Sequence, residues 1–113
     1  MDSGLLGSAL EMLILEVIAQ GPSYGYEIAQ TVAGRSGGTF EMKEGSLYPA
    51  LHRLERAKLI DAKWDRSGKG QRVRVYRLTA AGRKRLVAER TKWERMTQAI
   101  AGILNPPITE GES

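Results

Sequence analysis

Leu6, Leu10, Leu13, Ile14, Val17 and Ile18 recur at helical spacing, which predicts a first helix over residues 5–19. Leu5, Met12 and Leu15 widen its apolar surface beyond one stripe, so this helix packs on more than one side. Gln20-Gly21-Pro22 ends it, since glycine caps a helix and proline cannot continue one. Ser23 then reads as the N-cap of a second helix over residues 24–33, with Tyr24, Ile28 and Val32 on one face. Gly34, Gly37 and Gly38 mark a loop. A third helix is expected from about Glu44 to Ala57, with Leu47, Leu51 and Leu54 turned inward. Pro49 falls inside it and removes a bond to the Gly45 carbonyl. Either the first turn is distorted or the regular helix begins near Pro49.

Beyond residue 59 the period changes from helical to alternating. Ile60, Ala62 and Trp64 alternate with Asp61, Lys63 and Asp65, the pattern of a half-buried strand. The return strand is Arg72-Val73-Arg74-Val75-Tyr76-Arg77-Leu78, and Ser67-Gly68-Lys69-Gly70 is the tip between the two. Neither face of the return strand is purely apolar, so a twist or bulge is expected partway along it. Thr39-Phe40-Glu41-Met42 is a candidate third strand of this sheet. Thr79 caps a last helix over residues 80–104, and Asn105-Pro106-Pro107 stops it.

The fold class expected is therefore mainly α with a small β-hairpin (α+β). It divides into a winged helix-turn-helix domain over residues 1–79, a long C-terminal dimerisation helix over residues 80–105 and a frayed tail over 106–113. In the last helix Leu86, Trp93 and Ile100 recur every seven residues, with Met96 and Ile103 interleaved and Glu89 interrupting. That is a seam for a partner helix, and Leu6 and Leu10 of the first helix are candidates for the same interface.

Charge sharpens this picture. The net formal charge is +4. Residues 1–42 carry one base against five acids, whereas residues 43–95 carry sixteen bases against six acids, a local balance of +10. The positive field is thus concentrated on the third helix and hairpin, where it suits a polyanion. Ser46, Tyr48, Pro49, His52 and Arg53 avoid the buried leucine stripe, and Tyr24 opens the helix before it. Arg53 is suited to a bidentate contact with guanine or to a phosphate, and Tyr48 to a phosphate and sugar. Lys69 and Arg72, flanked by Arg66 and Arg74, are placed for phosphates or the minor groove.

Other classes lose support. There is no cysteine and only one histidine, His52, so neither disulfides nor a Cys- or His-based metal site is expected. No nucleophile or carboxylate constellation accompanies His52, so no catalytic site and no cofactor are expected. Gly68-Lys69-Gly70 lacks the pattern of a nucleotide-binding phosphate loop. No apolar run is long enough to cross a membrane, and the acidic start Met1-Asp2-Ser3-Gly4 is unlike a signal peptide, so the cytoplasm is the expected location. A winged-helix module that docks protein or binds an effector and does not read DNA sequence is the competing reading.

Four segments carry a resemblance to the phenolic-acid-decarboxylase-regulator (PadR) family of bacterial transcription factors. They are Leu10-Glu11-Met12-Leu13-Ile14-Leu15, Gly21-Pro22-Ser23-Tyr24-Gly25-Tyr26-Glu27-Ile28, Gly45-Ser46-Leu47-Tyr48-Pro49-Ala50-Leu51-His52-Arg53-Leu54-Glu55 and Tyr76-Arg77-Leu78-Thr79-Ala80-Ala81-Gly82. The single C-terminal helix resembles the short-tailed branch. The resemblance implies a winged-helix homodimer, usually a repressor, bound to a palindromic operator on double-stranded DNA and commonly released by a small molecule. It also implies that Trp93 walls a site for a planar aromatic effector between subunits. Family wings often carry an unbroken basic run before paired tyrosines. Here Val73 and Val75 interrupt the charge, and Val75 stands where one tyrosine is expected.

Overall fold

The structure, a computed structural model, describes residues 3–108, and within them the side chains of residues 3–6 and 8 are left undescribed. The expected dimerisation residue Leu6 therefore lies outside the described side chains. Helix α1 spans Ser3–Gln20, strand β1 Ser23–Tyr24, helix α2 Gly25–Arg35 and helix α3 Glu44–Arg56. Strands β2 (Ile60–Arg66) and β3 (Arg72–Leu78) form the hairpin, and α4 runs over Ala80–Leu104.

Ile14, Leu15, Ile28, Leu47, Leu51, Leu54 and Ile60 are the largest fully buried side chains among the described residues, so one core is shared by α1, α2, α3 and the root of the hairpin. Helix α3 starts at Glu44 with Pro49 inside it. The Lys43 carbonyl accepts from both Ser46 and Leu47 N–H, at 3.0 and 2.8 Å, which tightens the first turn before the proline is reached. The helix closes with Lys58 in a left-handed conformation, φ 62°, and Leu59 N–H reaching back to the Leu54 carbonyl at 3.0 Å.

Three local expectations are corrected. The third strand is Ser23–Tyr24, which pairs antiparallel with Tyr76 and Val75, and not residues 39–42. Phe40 and Met42 instead fold onto the core as irregular chain, with Met42 buried. Consequently Ser23 is not a helix cap. Tyr24 occupies that position, and its N–H donates to the Glu27 carboxylate at 3.1 Å. Finally, the β2–β3 ladder is unbroken from Ile60↔Leu78 to Arg66↔Arg72, without a bulge. One face carries Ile60, Ala62, Tyr76 and Leu78 onto the core and then, past the edge of the core, Trp64, Arg72 and Arg74. The mixed pattern arises because the ribbon outruns the core, not because its faces exchange.

The start of α4 is locked to the root of the wing. The Thr79 N–H donates to the Leu59 carbonyl, its hydroxyl lies within bonding distance of both the Lys58 and Leu59 carbonyls, and the Gly82 N–H donates to the Thr79 hydroxyl. Gly82 is buried against the wing root, so closely that a β-carbon there would lie 2.0 Å from the Leu59 oxygen. The first two turns of α4, through Leu86, belong to the core, and the rest of the helix runs on over an exposed surface.

Candidate nucleic-acid interface

An open groove of about 950 Å³ lies between the start of α2, the exposed face of α3 and the inner face of the hairpin. Tyr24, Tyr48, His52, Lys69, Arg72 and Arg74 line it together, although they come from four different elements. The side-chain order along α3 explains the placement. Leu47, Ala50, Leu51 and Leu54 are buried, which turns Ser46, Tyr48, Pro49, His52 and Arg53 outward. Tyr48 leans over the first turn of α2. A β-carbon on Gly25 would stand 2.7 Å from its hydroxyl, so glycine there lets the phenol lie across the helix start.

The hairpin tip is built from its own backbone and one serine. Ser67 N–H donates to the Gln71 carbonyl at 2.7 Å, and Gly70, at φ 80°, returns an N–H to the Ser67 carbonyl at 2.8 Å. The Ser67 hydroxyl accepts from Lys69 and Gln71 N–H. Lys69 is left at the exposed apex.

The expected DNA-contacting bases divide into two groups. Lys69 and Arg72 are exposed in the groove. Arg66 donates to the Gly70 carbonyl at 3.0 Å and so braces the tip. Arg74 pairs with Glu55 of α3 at 2.8 Å and ties hairpin to helix. Arg53 stands on the flank of α3 away from the wing, paired at 3.2 Å with Glu11 of α1. The same carboxylate lies 3.8 Å from Arg85 of α4, so the recognition helix and the long helix share one counter-charge. Glu11 was not among the expected site residues. Its separation of 42 residues from Arg53 hides the pair from any local pattern.

Burial pushes the Tyr76 phenol above its ordinary pKa. Arg74 opposes that shift and Glu55 and Tyr48 add to it. Tyr76 therefore remains a neutral hydroxyl at the base of the groove. Among the described residues no cluster of three or more His, Cys, Asp or Glu could hold a metal ion, and no helix is long and apolar enough to cross a membrane.

The residues expected at a subunit interface also separate. Leu10 and Leu86 are buried in the chain's own core, so neither is open to a partner; helical spacing alone does not distinguish the two uses. Trp93 is half-buried, and its indole N–H is shielded from solvent with no acceptor in reach among the described residues. Met96, Ile100 and Ile103 are exposed, and Leu104 extends the apolar surface they make.

A helix that presents polar residues from an apolar three-helix core, followed by a basic hairpin flanking the same groove, defines a winged helix-turn-helix DNA-binding protein. Residues 14–88 match the transcriptional regulator PadR-like family, and the chain belongs to that family. A transcriptional regulator of Mycobacterium tuberculosis is 34% identical over 95 residues, which are 84% of this chain and 85% of that protein. The crystal structure of a PadR-like transcriptional regulator from Bacillus cereus superposes with a TM-score of 0.80 at 31% identity, over 93% of this chain and all of that one. A PadR family regulator from Clostridium difficile gives a TM-score of 0.73, also at 31% identity, over 86% of this chain and 99% of its own. The protein is a DNA-binding transcriptional regulator.

Proposed function

We propose that the protein is a cytoplasmic repressor, acts as a homodimer on a palindromic operator, and has no enzymatic activity. The observation that carries this reading is the groove, which brings α3 and the wing tip to one basic surface. On this reading the α3 face from Ser46 to Arg53 enters the major groove, and Lys69 and Arg72 meet the backbone or minor groove beside it. Tyr48 and Tyr24, at the α2 start, face the phosphates between.

The dimer is supported by the outer part of α4. Met96, Ile100, Ile103 and Leu104 are exposed, and with the half-buried Trp93 they make an apolar strip. A second copy would cover it, with residues 80–105 as the dimerisation unit and residues 1–79 as the DNA-binding unit. The recognition helices of such a dimer meet half-sites about 34–36 Å apart, one duplex turn, or a multiple of it.

Trp93 is the residue proposed to take a planar aromatic effector. Two copies facing each other across the dimer axis would stack on a flat ligand through the exposed part of the indole. Such a ligand would fix one spacing of the subunits and release the operator. Operator DNA must then weaken effector binding by the same factor.

The test is a gel shift with the duplex upstream of the protein's own gene in excess random DNA, paired with sedimentation. Specific retardation by a dimer is expected. A monomer, or equal affinity for both duplexes, would overturn the reading.

A further inference from the structure

Trp64 has no place in the recognition scheme above, yet it is 57% exposed on the inner face of the hairpin and lines the groove. An indole left in water at the edge of a small domain needs a reason. The Arg72 guanidinium lies over its ring at 4.3 Å from the centroid. Arg74, directly across the ladder, stands 5.8 Å from the same ring and 5.8 Å from that of Tyr76, and it pairs with Glu55 of α3 at 2.8 Å. A continuous stack thus runs from the recognition helix through Glu55, Arg74 and Trp64 to Arg72.

We propose that Trp64 is a positioning residue for DNA binding, which holds the Arg72 guanidinium flat and outward at a height set from α3. The inference rests on the wing lying against the duplex. Arginine stacks its planar face on an aromatic ring while its N–H edges stay free for phosphate oxygens. A free arginine side chain has to be immobilised when it meets DNA, and one already stacked loses less freedom at that moment. The Glu55–Arg74 pair gives the stack a fixed end on α3, so the wing cation keeps a defined distance from the helix that reads bases.

Charge and position are separable by experiment. Trp64→Ala removes no charge, so the protein should lose about three- to ten-fold in affinity for specific and random duplex alike, with its salt slope unchanged. Arg72→Lys keeps the charge without the planar face and should behave in the same way. Arg72→Ala should also lower the salt slope by about one unit. In the Arg72→Ala background, Trp64→Ala should cost little more, because its partner is gone. Since Trp64 is exposed, the thermal midpoint of the variant should match the parent, and Arg72→Lys carries the test if it does not. Lys69→Ala serves as the wing control. If Lys69→Ala binds normally, the wing is not on DNA and the proposal falls with it. If Lys69→Ala weakens binding while Trp64→Ala and Arg72→Lys do not, or if the double variant is additive, the positioning role alone is overturned.

Discussion

Two glycines of α4 should respond to the same substitution with opposite sign. Alanine in a helix interior is ordinarily worth about 1 kcal/mol over glycine. Gly102, in the last turn, has nothing within 4 Å of its would-be β-carbon, so Gly102→Ala should collect part of that gain. At Gly82 the β-carbon would lie 2.0 Å from the Leu59 carbonyl oxygen and 2.8 Å from Leu78 Cδ1. Carbon and carbonyl oxygen rest no closer than about 3.3 Å, so the helix start must retreat by more than about 1 Å. That carbonyl accepts from Thr79 N–H at 3.1 Å, and a retreat of that size stretches this bond beyond bonding range, whereas the Thr79 hydroxyl, 2.9 Å from the same carbonyl, also has the Lys58 carbonyl at 2.8 Å as an acceptor. One lost hydrogen bond at about 1 kcal/mol, with about 1–3 kcal/mol of overpacking, outweighs the helix gain by about 1–3 kcal/mol. For a domain of this size the thermal midpoint should fall by about 5–20 °C. Circular dichroism melts of both variants at one protein concentration measure the contrast. A Gly82→Ala protein as stable as Gly102→Ala would refute the packing of α4 on the wing root.

Other expectations follow from the site. Ile100→Asp with Ile103→Asp should yield a folded monomer in sedimentation with much weaker operator binding, since neither residue is in the core. Glu11→Gln frees Arg53 from its counter-charge and should tighten DNA binding, while Arg53→Ala should relax preference at particular base pairs by about 1–3 kcal/mol in a competition assay if it reads a base. Lys58→Gly relieves the left-handed backbone at φ 62° and should raise denaturant stability by a few tenths of a kcal/mol to about 1 kcal/mol, an effect absent if the αL turn does not form. Titration with planar cationic dyes should quench Trp93 in the intact protein, with Trp64→Phe used to assign the signal. If no compound quenches it and Trp93→Ala only dissociates the dimer, that residue is packing.

The elements with their own punctuation were legible in the sequence. Thr79 and Asn105-Pro106 bracket a helix found at Ala80–Leu104, and the glycine-rich tip of the hairpin lies where it was expected. What stayed hidden depends on distance along the chain. A strand of two residues has no period, so Ser23 and Tyr24 read as a cap and a helix start, while the alternation of Phe40 and Met42 imitated a strand that the core claimed instead. Leu10 and Leu86 carry the same spacing whether they face their own core or a partner. The basic character of the groove was readable as composition. Which base is free and which is engaged was not, because Arg53 and Arg74 find their carboxylates on other elements. Trp64 left a faint signal, an aromatic between Lys63 and Asp65 in a strand whose partner bears arginines.

The strand order β1-β3-β2 leaves β2 with a free edge, and β1 covers β3 only at Val75 and Tyr76. Both sides of the hairpin therefore offer unpaired backbone groups to another chain, the usual start of sheet-to-sheet aggregation. Asp61, Lys63 and Asp65 alternate with the core face along β2 and place mixed charge beside that edge. Charges of this kind deter pairing with a second hairpin, and they lie on the face away from the groove, so solubility and recognition are carried by opposite sides of one ribbon. Lys63→Val with Asp65→Val should accordingly leave DNA affinity nearly intact while light scattering rises with protein concentration.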